Sequence, residues 1–178
     1  MNKFVIAAAF ALSLTGRVYA QATATANLSV GAEAGLFVAA TPNMASTGSN
    51  FGSFFGTNTA LTYYMRTSQA GGSGSIQLRV TSDFSPAGGP SVANPPSVQD
   101  KLTYTCTAAN PGNGGTATPC SGSVTASTAT ATPVTSFGAD ARSLASGNSA
   151  SVSWILTNDP KYKVGSYQAT ITFTISAF

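Results

Sequence analysis

The chain has 178 residues, only 7% of them charged, and alanine, threonine, serine and glycine make up more than half of it. It holds no histidine and two cysteines, which excludes a histidine-based catalytic triad and leaves too few ligands for a usual zinc site. Eight cations and five acids are scattered along the sequence, so no basic stripe can track a phosphate backbone and nucleic-acid binding is excluded as well.

Residues 1–20, MNKFVIAAAFALSLTGRVYA, read as an export signal. Lys3 supplies the positive start, residues 4–14 an apolar run, and Val18-Tyr19-Ala20 a cleavage site. The apolar run is too short to span a bilayer as a helix. No later stretch is long and apolar enough either, so no membrane span is predicted. Cleavage after Ala20 leaves six cations against five acids, a net charge of +1. A chain of this size reads as one domain.

Residues 21–31 form an extended N-terminal segment. In residues 22–30, ATATANLSV, the apolar Ala22, Ala24, Ala26, Leu28 and Val30 alternate with Thr23, Thr25, Asn27 and Ser29. This is the period of a strand with one apolar face. Such a segment either forms the first strand of its own sandwich or is donated to a neighbouring chain by strand addition.

Residues 32–178 carry strand signals throughout. A short apolar run comes first, over residues 36–39. Leu61, Tyr63 and Met65 then alternate with threonine, tyrosine and arginine, and Ile76, Leu78 and Val80 with glutamine, arginine and threonine. Leu102, Tyr104 and Cys106 repeat the pattern, as do Val152, Trp154 and Leu156, where Ile155 falls on the outer face. The last strand is the most regular. Tyr167, Ala169, Ile171, Phe173, Ile175 and Ala177 share one face, and serine, glutamine and threonine take the other. Breaker-rich stretches at 41–58, 83–99 and 121–133 separate these runs. The pattern predicts an all-β fold, an immunoglobulin-like antiparallel β-sandwich of about seven or eight strands.

Cys106 and Cys120 flank a turn-rich segment. A hairpin centred on Asn113 would set them directly opposite each other, within reach of a disulfide. An even cysteine count in an exported chain points the same way.

No catalytic constellation stands out. Lys101, Lys161 and Lys163 lie in no Ser-x-x-Lys motif, and the acids are dispersed. Asp83 and Asp100 flank a Pro/Gly-rich loop and read as solvated, and Asp159 before Pro160 as a turn residue. No Asp-rich loop suggests calcium. The expectation is therefore a non-enzyme without cofactor or metal. Exposed rings that could stack on a glycan are Phe51, Phe54, Phe55, Tyr64 and Tyr162, with Phe54-Phe55 between glycine and serine residues the candidate contact patch. Trp154 shares a face with Val152 and Leu156 and reads as core.

Taken together, the signal, the alternating segment 22–30, the mid-chain cysteine pair and the ending Gly165-Ser166-Tyr167 followed by an alternating strand resemble a known group. They are similar to exported bacterial β-sandwiches of the spore coat protein U-like and archaic chaperone–usher pilin-like kinds. Unlike those domains, this chain has no cysteine before Cys106. The resemblance implies a structural subunit of a cell-surface or extracellular assembly. It implies homopolymerisation through Ala22, Ala24, Ala26, Leu28 and Val30 as a donor strand, and a periplasmic chaperone as partner. Periplasm, cell surface or extracellular space would be its location. The competing expectation is a monomeric secreted sandwich that binds carbohydrate or protein.

Overall fold

A computed structural model of the chain describes residues 25–39, 41–93 and 100–178. The export signal at 1–20 lies outside the described residues, as do Ala22 and Ala24 of the alternating segment. Among the described residues no helix is long and apolar enough to cross a membrane.

Among the described residues eleven strands build two antiparallel sheets packed face to face. They are β1 (Glu33–Val38), β2 (Met44–Ser46), β3 (Phe54–Gly56), β4 (Thr59–Arg66), β5 (Gly74–Ser85), β6 (Leu102–Ala108), β7 (Ala117–Pro119), β8 (Val124–Thr125), β9 (Thr132–Phe137), β10 (Asn148–Leu156) and β11 (Gln168–Ala177). The larger sheet has β10 at its centre, with β6 and β8 on one side and β4 and β1 on the other. β3 and β2 continue the β4 side along the last residues of β10. The smaller sheet runs β11-β5-β9-β7. The predicted sandwich is therefore the observed one, with more strands than the seven or eight expected. Among the additional ones, β2, β3, β7 and β8 are short, and their two or three residues carry no readable alternation.

Period two places the core. Leu61, Tyr63, Met65, Ile76, Leu78, Val80, Val152 and Trp154 are each at most 3% exposed. Each fully buried aliphatic or aromatic side chain of this kind contributes about 1.5–3 kcal/mol. The polar atoms of the buried rings are paired. The Trp154 indole N–H donates to Thr59 Oγ1 at 2.8 Å, and its ring meets Tyr104 at 5.4 Å between centroids. The Tyr104 hydroxyl crosses to the other sheet, 2.8 Å from both Thr132 Oγ1 and the Pro133 carbonyl. The Tyr63 hydroxyl donates to the Ala109 carbonyl, and burial pushes its pKa up to about 12.

Cys106 and Cys120 are bonded, with Cα atoms 5.4 Å apart. The hairpin expected to bring them together is not there. Cys106 sits in β6 of the larger sheet, and Cys120 follows β7 of the smaller one. The turn-rich segment 109–116 is instead a crossover between sheets. At Gly115, with φ of 75°, an added β-carbon would lie 2.3 Å from the Ala141 backbone, so only glycine fits. The disulfide is thus an inter-sheet staple closing a loop of this length, worth about 3 kcal/mol in the chain-entropy account.

Candidate functional site: an open edge and an exposed arm

The two sheets meet unevenly at their margins. β1 pairs with β4 on one side and β11 with β5 on one side. β1 and β11 lie next to each other, yet among the described residues no ladder joins them. Their directions follow from local contacts. Glu33 at the start of β1 pairs with Arg66, and just past Arg66 the Ser68 N–H donates to the Phe178 carbonyl beyond β11 at 3.0 Å. The start of β1 and the end of β11 therefore share one end of the sandwich, and the two strands run in opposite directions along the edge.

The side chains record the gap. Ala34 and Leu36 of β1, and Ala169, Ile171, Phe173 and Ile175 of β11, point inward and pack on the core but stay only half-buried. The regular alternation of β11 is thus real, while the full burial it suggested is not. Two unpaired backbone edges face each other across a partly exposed apolar floor, which is the template for an added strand.

Beside this edge lies the described segment upstream of β1. Residues 25–32 are exposed and belong to no strand. Leu28 is 88% and Val30 60% exposed, and Ala26 is exposed too. Of the two readings of segment 22–30, its described part does not complete its own sandwich. The arm is nevertheless anchored at its root. Arg66 Nε donates to the Gly31 carbonyl at 2.8 Å, and Arg66 Nη2 to Glu33 Oε2 at 2.6 Å. Neighbouring Arg142 is paired with Asp140 at 3.0 Å.

The candidate patch Phe54-Phe55 is divided by the strand that carries it. Adjacent strand residues face opposite sides. Phe54 packs against the core, whereas Phe55 points outward and is 47% exposed. Phe51 lies in the turn between β2 and β3, with a left-handed φ of 56° and 59% exposure. Tyr64 is 42% exposed on the outer face of β4, and Trp154 is core, as read.

The acids correct the sequence reading. Asp83 is half-buried and accepts hydrogen bonds from the Ser91 hydroxyl and the backbone N–H groups of Phe84, Val92 and Ala93. Burial pushes its carboxyl up, but these four bonds outweigh it and hold it below the usual carboxylate value. Asp100 is 1% exposed, not solvated. It lies with Asp159 and Tyr162. The Lys161 backbone N–H, then the hydrogen bond with Asp100, keeps Asp159 low. Burial, then the Asp100 charge, pushes the Tyr162 hydroxyl up. Asp159 is the turn residue expected, accepting from Lys161 N–H at 2.8 Å. No signal in the sequence marked Asp100 as buried, because its partners lie about sixty residues downstream. Among the described residues no three histidine, cysteine, aspartate or glutamate side chains gather as metal ligands.

Compared with known proteins, the chain matches no family model, no curated protein and no solved structure.

Proposed function

We propose that this protein is an exported structural subunit that polymerises by donating residues 22–30 to the open β1/β11 edge of a neighbouring copy. What carries the reading is the coexistence, in one chain, of an open apolar edge and an exposed arm of matching alternation. A donated strand would satisfy both unpaired backbone edges and cover Leu36, Ile171, Phe173 and Ile175. Because β1 and β11 run in opposite directions, the incoming strand is parallel to one and antiparallel to the other.

Register favours a neighbour over self-closure through a tight turn. A two-residue turn at Gly31-Ala32 would pair Val30 with Glu33, Ser29 with Ala34 and Asn27 with Leu36. Paired residues share a face, so Ser29 and Asn27 would enter the core and Leu28 and Val30 would face water. A strand from another chain is free of that constraint and can place its alanines, Leu28 and Val30 inward. The pilin-like resemblance and the export signal agree with this role, and a periplasmic chaperone would hold the edge before assembly.

The test is a comparison of the mature chain with and without residues 21–30, on denaturing gels before and after boiling and by light scattering. The proposal expects a ladder that collapses on boiling and disappears on truncation. A single monomer band from the intact chain, with the truncated chain insoluble, would mean that the arm completes its own sandwich.

A further inference from the structure

The outer face of the larger sheet carries a different pattern from its edge. From residue 34 to residue 65 the chain has no charged residue, and neither β6 nor β10 contains one. Outward positions on this face are therefore neutral between the Glu33–Arg66 ion pair and Lys101.

Exposed rings stand at both ends of that neutral surface. At one end Phe37 is 60% exposed and pairs with Thr62, which pairs in turn with Ser149. Tyr64 is its neighbour, and its ring lies against Gly35 and Gly147, where added β-carbons would come within 3.7 Å and 3.1 Å of it. Neither glycine has a side chain to cover the ring. At the other end Phe55 stands between Ala45 and Ile155. Ser149 and Ile155 are six residues apart on β10, so the two aromatic ends are about 20 Å apart.

Hydroxyl and amide groups fill the interval. Thr107 Oγ1 and Ser151 Oγ are 2.7 Å apart, and the Ser153 hydroxyl donates to Asn58 Oδ1 at 2.8 Å. Thr105 pairs with Ser153 in the next strand. The result is a ladder of donors and acceptors between aromatic platforms. A nucleic acid or anionic lipid needs cations, which the face lacks. A protein partner wants a compact apolar centre, whereas here the rings are separated by hydroxyl rows. An uncharged chain with apolar ring faces and hydroxyl edges matches both features at once.

We propose that this outer face binds an extended neutral polysaccharide, with Phe37, Tyr64 and Phe55 stacking on sugar rings and the β6/β10 hydroxyls bonding between them. The site is independent of strand donation, since it lies on the face of the sheet and not at the β1/β11 edge.

The experiment is retention of the mature chain on microcrystalline cellulose, chitin and insoluble β-1,3-glucan. Retention is expected on at least one polymer, with release by soluble oligosaccharides of the same linkage. The triple variant Phe37→Ala, Tyr64→Ala, Phe55→Ala should weaken it at least about tenfold, since each 1.4 kcal/mol is a factor of ten. Ser151→Glu, which adds a charge mid-face and removes no ring, should weaken it too. Unfolding midpoint and gel ladder are read in parallel to separate lost binding from lost folding or assembly. No retention on any of the three polymers overturns the proposal, as does retention that the triple variant leaves unchanged. If the ring substitutions alter particle size instead, the face is a contact between copies and the proposal also falls.

Discussion

The middle of the sandwich and its β1/β11 edge are built from the same alternating pattern, yet they end in different states. In β4, β5 and β10 the inward residues are sealed by a strand on each side and a sheet opposite. In β1 and β11 the inward residues have one strand beside them and remain half-buried. Burial is thus decided by what lies next to a strand as much as by its own sequence. The middle spends its apolar surface on stability, whereas the edge leaves part of it exposed.

Substitutions can break that contrast. Trp154→Ala, in the middle, should cost about 3–5 kcal/mol in a urea titration, because it empties a packed site and orphans Thr59 Oγ1. Replacing both Cys106 and Cys120 by alanine should cost about 3 kcal/mol in the same assay, with no effect on the edge itself. Phe173→Ala, at the edge, should cost only about 1–2 kcal/mol in the truncated chain, since the ring is only partly buried, yet it should shorten or abolish the gel ladder of the intact chain. Equal losses for Trp154 and Phe173 would show that the edge is closed in solution.

Smaller effects sharpen the picture. Arg66→Ala should change monomer stability by less than about 1 kcal/mol, as exposed ion pairs do, while releasing the Gly31 carbonyl and slowing polymer growth followed by light scattering. Asp83 supplies a pH test. Its carboxyl is lowered in the fold, so its contribution is present above the unfolded value near pH 4 and is lost as pH falls through the lower folded value. The Val92 and Ala93 amide resonances should therefore shift below about pH 4, and Asp83→Asn should remove that shift.

Much of the fold was legible because period two is a local signal. The inward sets in β4, β5, β6 and β10 follow directly from alternation, and so does the place of Trp154. The cysteine bond was legible too, but not its geometry. Spacing around Asn113 suggested a hairpin, while the chain actually changes sheets between Cys106 and Cys120. Short strands such as β3 were invisible, and with them the division of Phe54 from Phe55. Asp100 looked solvated because its partners are distant in sequence.

By itself the sequence determined the all-β class, the faces of the long strands and the alternation of segment 22–30, since each depends on residues two apart. Only the tertiary structure decided which strands lie side by side. That arrangement left β1 and β11 unjoined, kept the arm outside its own sheet, and lined up neutral rings and hydroxyls from β1, β3, β4, β6 and β10 on one surface. These are long-range pairings, and no short-range period encodes them.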